Sequence, residues 1–388
     1  MKICIVQSWG FQNLDGSNLR VYFLIKELIK RGHKVTIVHA SKQDALFSQK
    51  EFGCETVDSN TNINRWVSST RKLYDYSKFI LNARKVIKKI DCDIIFGISF
   101  LNAMVVVTHL KAKKIIMYVD LMSHYYHYET RGNLFGYLLY KLGNILENWT
   151  MKKADRIITI THSLRNLFKK DYWPKTVIIP DGVDTKIFNP NISDKGIRKE
   201  LGLENNKVIG YFGAVDPCDG VQFLAQVAPL IIKEYPETRF LIVGHGLFLS
   251  TVKRIAKKNK TLNNFIFTGW VKNNEVPSYM KATDICVVPN VSDKCIASLI
   301  TYRLLEGMAA GVLMLASNLP GIREIANENM IFFTNPEDIN KFAEDIIKIF
   351  KTPNSYKQKM KNIAWETIKK LDWREIAIRD ANVIENHL

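Results

Sequence analysis

The 388-residue chain has no apolar run long enough to cross a membrane. Its longest, Phe96 to Leu110, is broken by Ser99, Asn102, Thr108 and His109 and falls short of the ~20 residues required. The apolar start, Ile3-Cys4-Ile5-Val6, is also too short for the core of a secretion signal. A cytoplasmic protein, soluble or peripheral on the inner face of the cell membrane, is therefore expected. Cysteine is scarce. Cys4, Cys54, Cys92, Cys218, Cys286 and Cys295 form no CxxC pair, which argues against a structural zinc site and for small buried thiols in a reducing compartment. Eleven prolines and twenty glycines exclude a collagen-like or low-complexity chain. Acidic residues are the remaining deficit, 38 against 55 basic, for a net charge of +17. That excess calls for an anionic partner: a phosphate-bearing ligand, a membrane surface or nucleic acid. Residues 1–184 carry most of it, with 28 basic and 16 acidic side chains, or +12.

What is present is alternation. Short apolar runs at Lys2 to Gln7, Lys34 to His39, Ile94 to Ile98, Lys114 to Val119, Arg156 to Ile160 and Thr176 to Ile179 read as strands, separated by helical patterns near 17–31, 74–89 and 133–153. After a turn-rich linker, runs at Val208 to Gly213, Arg239 to Gly244, Asn264 to Thr268, Ile285 to Pro289 and Leu313 to Ala316 repeat the pattern, with helices near 220–234, 249–259, 275–282 and 302–310. The fold class is α/β, with two Rossmann-like, doubly wound domains facing across a cleft. Residues 1–185 form the first domain and residues 186–365 the second.

Three stretches can carry chemistry. The loop ending in Gly16-Ser17 opens an amphipathic helix whose free N–H groups suit a diphosphate, although an ordinary capped turn explains it equally well. Gly244-His245-Gly246 after an apolar strand lacks the third glycine of a dinucleotide fingerprint, and His245 is a turn residue rather than a base. The stretch 290–324 is stronger. A polar loop leads to a helix start at Thr301, Tyr302 and Arg303, where a guanidinium suits a diphosphate and Glu306, one turn on, suits the paired hydroxyls of a ribose. An i, i+3 ion pair is the plainer account of Arg303 and Glu306.

Gly210-Tyr211-Phe212-Gly213-Ala214 with Asp219-Gly220-Val221, the run Phe240 to Gly246, Phe267-Thr268-Gly269-Trp270-Val271, the run Ala282 to Pro289, and Leu304 to Gly311 together resemble glycosyltransferase family 4 of the GT-B enzymes. The first half adds Gly16-Ser17, Lys30 to Thr36, Ala154 to Ile158 and Ile179 to Asp184, in the same order. The resemblance implies retaining transfer from a nucleotide diphosphate sugar, with no metal and no other cofactor. It places the donor in the second domain, the acceptor in the first, and a last helix, about 366–388, crossing back to the first domain. It assigns donor binding to Gly16, Ser17, Gly213, Val271, Lys272, Ser298, Thr301, Tyr302, Arg303 and Glu306. Asp120 stands where many relatives carry a histidine beside the reacting sugar, so Asp120 and, nearby, His124 are the catalytic candidates. His127 lines the acceptor side or packs in an aromatic loop.

The chain also departs from the family pattern. Two glutamates separated by seven residues are usual, yet Ser298 takes the first position, and a basic pair that binds the diphosphate is replaced by Ala214 and Asp219. Arg303 is expected to take over the phosphate role. Residues 65–89 hold eight basic side chains and one acidic, interleaved with Trp66, Tyr74, Tyr76 and Phe79. Trp66, Arg71, Lys72, Arg84, Lys85, Lys88 and Lys89 make this segment a candidate for an anionic leaflet or acceptor, against the alternative of a core helix with a solvated face. A second stripe, Leu138, Leu139, Leu142, Ile145 and Leu146, reads as membrane-facing or core. The expected partners are a nucleotide-sugar donor, a glycan or lipid-linked acceptor in cell-surface polysaccharide or glycolipid assembly, and an anionic membrane. No nucleic-acid recognition module is present. A GT-B nucleotide-sugar epimerase and a catalytically weak sugar-nucleotide-binding scaffold are the alternatives.

Overall fold

Apolar runs that can be covered on both faces build the strands. In the computed structural model, which describes residues 1–11, 16–61, 69–118, 121 and 134–386, the chain divides into two units. Residues 1–181 and 373–388 make the first, and residues 182–372 the second.

The first unit holds β1 (Lys2–Gln7), β2 (Lys34–His39), β3 (Glu55–Asp58), β4 (Ile94–Ile98), β5 (Lys113–Tyr118), β6 (Arg156–Thr159) and β7 (Thr176–Ile178). They form one parallel sheet in the order β3-β2-β1-β4-β5-β6-β7. The run Ile3 to Gln7 is wholly buried, as expected of a parallel strand with helices on both sides. The second unit holds β8 (Val208–Phe212), β9 (Arg239–Val243), β10 (Phe265–Gly269), β11 (Ile285–Val288), β12 (Met314–Ser317) and β13 (Phe332–Thr334), again parallel, in the order β10-β9-β8-β11-β12-β13. Each sheet therefore reverses its winding once, between β1 and β4 and between β8 and β11. Ligands of doubly wound folds bind outside the carboxyl ends of the strands at such a reversal.

The structure adds elements that the sequence pattern does not announce: β3, β13 and the helices Lys42–Phe52, Ser99–Val106, Ile339–Lys351 and Asn354–Ile368. Asn354–Ile368 belongs to the second unit, and the chain returns to the first only with the helix Trp373–Glu385. The helix Leu134–Lys153 turns its apolar stripe outward. Leu134 is 74% exposed, Leu138 56%, Leu142 53% and Ile145 65%, while Glu147, Thr150 and Met151 are buried. A core role for Leu138, Leu142 and Ile145 is thereby excluded. Among the described residues no helix is long and apolar enough to cross a membrane.

One side chain ties the first unit together. Arg20, on the helix Gly16–Lys30, is 1% exposed and places all five of its N–H donors. Nε and Nη2 donate to the two oxygens of Asp380 at 2.9 and 2.8 Å, Nη1 to Asp181 Oδ1 at 3.0 Å and to the Pro180 carbonyl at 3.3 Å, and Nη2 also to the Ile179 carbonyl at 3.1 Å. Burial by itself would lower the Arg20 pKa, but Asp380 and Asp181 outweigh it and hold the guanidinium charged. Replacing Arg20 with methionine leaves two buried carboxylates without a cation and is expected to destabilise the unit by about 3–5 kcal/mol. Guanidinium denaturation of the Arg20→Met variant checks this, and a loss below about 1 kcal/mol contradicts it.

Candidate functional site

The loops that leave β8, β9 and β11 are in backbone contact. A Cβ on Gly244, whose φ is +142°, would stand 1.8 Å from the Gly213 carbonyl oxygen, and one on Gly246 would stand 2.3 Å from that of Val215. One on Gly220 would stand 1.7 Å from that of Pro289, just past β11. No side chain fits at any of these three positions. The loops are joined by Gly213 N–H to Val243 O at 2.9 Å, Val215 N–H to His245 O at 3.1 Å, Phe248 N–H to Val215 O at 2.9 Å and Val291 N–H to Cys218 O at 3.1 Å. The Gly-His-Gly that is incomplete as a dinucleotide fingerprint thus has a packing reason: its glycines let the β9 loop lie on the β8 loop. His245 itself is exposed.

At the edge of this surface starts the helix Tyr302–Ala309. Thr301, in the N-cap position, is extended and makes no side-chain cap, and its buried Oγ1 has no partner among the described residues. Arg303 lies in the first turn. Its guanidinium stacks 4.7 Å from the Tyr211 ring centre and donates from Nη2 to Asp219 Oδ1 at 2.5 Å. Nη1 donates to the Tyr211 hydroxyl, which in turn donates to the Ala214 carbonyl. Asp219 also accepts from the Asp216 N–H at 3.2 Å, which fixes the short turn Pro217–Asp219. Arg303 Nε stands 3.5 Å from where a Gly213 Cβ would be, so the guanidinium covers the glycine directly. Burial would lower the Arg303 pKa, but Asp219 opposes it and keeps the group charged. Burial raises the Tyr211 hydroxyl well above its usual value. Glu306, one turn along, is pushed up to about 7 by burial, with Arg303 pulling the other way.

Gly213, Thr301 and Arg303 are therefore gathered at the β8/β11 reversal, and Glu306 shares the helix. Tyr302 is the first helical residue and half-buried. Ser298 is buried in the turn Ile296–Ser298, where its hydroxyl donates to the Lys294 carbonyl at 2.7 Å. Half-buried Val271 and exposed Lys272 follow β10, two strands from the reversal. In the first unit, Gly16 and Ser17 open the helix Gly16–Lys30. Arg84 and Lys85 sit in the last turn of the helix Ser69–Ile87, and Lys88 and Lys89 just after it are exposed. Arg71 and Lys72 lie in the same helix, with side chains outside the described set. Asp120, His124, His127 and Trp66 lie outside the described residues. Tyr211 joins the site without a local signal in the sequence, and Asp219, which the family pattern marks only as a missing cation, is the partner of Arg303. Among the described residues no group of three or more His, Cys, Asp and Glu side chains gathers as a metal site.

The family profile described as Glycosyltransferase Family 4 matches residues 14–187, and that described as Glycosyl transferases group 1 matches residues 206–352. The chain belongs to the GT-B glycosyltransferases related to these two families. It is 25% identical to spore coat protein SA of Bacillus subtilis over 227 residues, 55% of this chain and 59% of that protein. It is 23% identical to alpha-monoglucosyldiacylglycerol synthase of Streptococcus pneumoniae over 342 residues, covering 85% of this chain and 74% of that one. The fold is shared with Anabaena HepE, solved in complex with UDP and glucose, at a TM-score of 0.73 and 16% identity over 99% of each chain.

Glu306 gives this glycosyltransferase a pH signature. Unfolded, the carboxyl ionises near its ordinary value of 4.5, and folded it ionises at about 7. Between those values the folded state keeps a proton that the unfolded chain has lost, so stability falls as pH rises through the window and stays lower above it. Denaturation at about pH 5 and about pH 8 is expected to show this loss in the parent protein and not in Glu306→Gln.

Proposed function

We propose that the chain moves a sugar, with retention of configuration, from a nucleoside diphosphate sugar held by the second unit to a glycan or lipid-linked acceptor at an anionic membrane surface. The observation that carries the reading is the Arg303 guanidinium over Gly213 at the β8/β11 reversal, in the first turn of a helix whose N-cap residue Thr301 makes no side-chain cap, with Glu306 one turn behind. A helix start without a side-chain cap suits a diphosphate, and the guanidinium supplies the charge that a divalent cation supplies elsewhere. Glu306, poised near neutrality, is an acceptor or donor for ribose hydroxyls. Asp120, two residues past β5 in sequence, and His124 would orient the sugar and stabilise developing positive charge. That HepE was solved with UDP and glucose supports the donor class, and the glucosyldiacylglycerol synthase among the relatives supports a lipid-linked acceptor.

Asp219 acts in this reading as a resident counter-ion that the donor diphosphate displaces from Arg303. The best nucleoside diphosphate sugar is to be found in a calorimetric panel and then titrated into variants. Arg303→Ala is expected to weaken its binding about 10- to 100-fold, from the loss of a charge-assisted contact, and Asp219→Asn to strengthen it. Unchanged affinity in both variants removes Arg303 from the donor site. A second reading, a sugar-nucleotide-binding protein without transfer, is favoured by the existing Arg303–Asp219 pair and by the turn of Ser298 to a backbone carbonyl. Binding without nucleotide release on membrane extracts would decide for it.

The outward stripe of Leu134–Lys153 extends the membrane reading beyond residues 65–89. Leu134, Leu138, Leu142 and Ile145 recur at helical spacing, with Trp149 also exposed and Lys152 and Lys153 in the last turn. An apolar face with basic flanks lies in the headgroup region of an anionic leaflet, each nearby cation adding ~1 kcal/mol. Vesicles containing phosphatidylglycerol are expected to sediment the protein, less so as salt is added, and Leu138→Glu with Ile145→Glu to abolish this. Equal sedimentation with neutral vesicles, or none with either, contradicts the proposal.

A further inference from the structure

A cavity of about 390 Å³ lies in the second unit between Pro190, Asn191, Lys281, Gly311 and the outer face of the helix Asn354–Ile368, which contributes Gln358, Lys361, Asn362 and Trp365. It stands at the far end of the helix Tyr302–Ala309 from Arg303. Gly311 follows that helix, whereas Arg303 is in its first turn. No carboxylate lines it. Lys281 and Lys361 form no ion pair or hydrogen bond among the described residues, and the side-chain amides of Asn191 and Asn362 have N–H groups to spare. The floor is built closely. Gly311 has φ +67°, and a Cβ there would meet the Pro190 Cβ at 3.2 Å, so a side chain would strain the backbone and press on the wall.

Two half-buried lysines facing one space without a counter-charge repel each other. Burial lowers the Lys281 pKa and the neighbouring Lys361 lowers it further, while Lys357, on the helix of Lys361, is lowered by burial and by Lys207 and Lys361 against the opposing pull of Asp284. A lysine at a helix C-terminus is ordinarily explained by the last carbonyls, and Lys281 ends the helix Val276–Lys281. That account does not extend to Lys361, which sits in the middle of its helix.

We propose that this cavity binds a small phosphate-bearing molecule of sugar-phosphate size, with Lys281 and Lys361 on the phosphate, Asn191 and Asn362 on hydroxyls, and the Trp365 indole against the ring. The volume suits such a ligand, and the few polar groups converge from three separate segments, as in a ligand pocket. The reading is independent of the donor site.

The test uses the whole 388-residue chain and glucose 6-phosphate as the probe. Brief acylation with a water-soluble amine-reactive ester, followed by peptide mass mapping, is expected to show labelling of Lys281 and Lys361 reduced severalfold by the probe. Lys258, on the helix Leu249–Lys258, and Lys199 serve as unprotected references. Inorganic phosphate should protect both lysines only at much higher concentration, and glucose not at all. The Lys281→Met, Lys361→Met double variant should lose the Trp365 fluorescence change, and Trp365→Phe should remove that signal while leaving the protection of the lysines. Unchanged labelling at saturating probe overturns the proposal. So does equal protection by glucose, or equal protection by inorganic phosphate at the same concentration. If the double variant fails to fold, labelling of the parent protein decides the matter alone.

Discussion

The first unit is assembled from two distant stretches of chain, and the Arg20 guanidinium is the point at which both must be present. Asp181 is the last residue before the chain leaves this unit, and Asp380 lies on the helix with which it returns. Burial of Trp373, Ile376, Ala377, Ala381 and Ile384 supplies the attraction for that helix, but apolar burial has no direction of its own. The planar fork of Arg20 does have one, because its donors meet the two oxygens of Asp380, one of Asp181 and two carbonyls in a fixed geometry. Arg31, which donates to Asn382 and Glu385, and His33, whose Nε2 is 2.6 Å from Glu385, repeat the fastening further along the same helix. Val183 and Asp372, next to the two points where the chain passes between units, pair with each other in the second unit.

Arg303 is the counterpart of Arg20 in the second unit, with a different balance. Arg20 is enclosed by two carboxylates and two carbonyls and has no donor left. Arg303 faces one carboxylate and one phenol and retains 13% exposure of its side chain. Asp219 at the guanidinium and Glu306 one turn along the same helix set two acidic groups beside the single cation Arg303. The protein's large positive charge is therefore not a property of this site.

Much of the fold was legible, because parallel strands covered on both faces are continuous apolar runs. Lys2–Gln7, Lys34–His39 and Ile94–Ile98 have the same limits in sequence pattern and in structure. The edge strands were not legible for the converse reason. Glu55–Asp58 is half-exposed and polar, and Phe332–Thr334 is only three residues long. Ser99–Val106 was hidden because it continues the apolar run of β4 with a single serine, Ser99 at φ +70°, between strand and helix. At the site, local signals placed Arg303 and Glu306 at a helix start, since caps and first turns are written in neighbouring residues. The Arg303–Asp219 pair joins residues 84 apart in sequence, and no local pattern reports such a pair. Asp219 therefore reads as a lost cation when it is the partner of a surviving one. The outward stripe of Leu134–Lys153 was equally ambiguous, because periodicity identifies an apolar face without saying what covers it.

The Arg303–Asp219 pair also bears on what else in a cell would occupy the site. A bare buried guanidinium holds whichever anion is most abundant, and single phosphates and carboxylates are everywhere. A cation that already has a carboxylate at 2.5 Å offers such an anion only an exchange of partners, at the cost of stripping its water. A diphosphate brings more charge and more oxygens than a carboxylate, so the proposed exchange favours it. Under the proposed function, the carboxylate in the place of a phosphate-binding cation would set a threshold that background metabolites fall below.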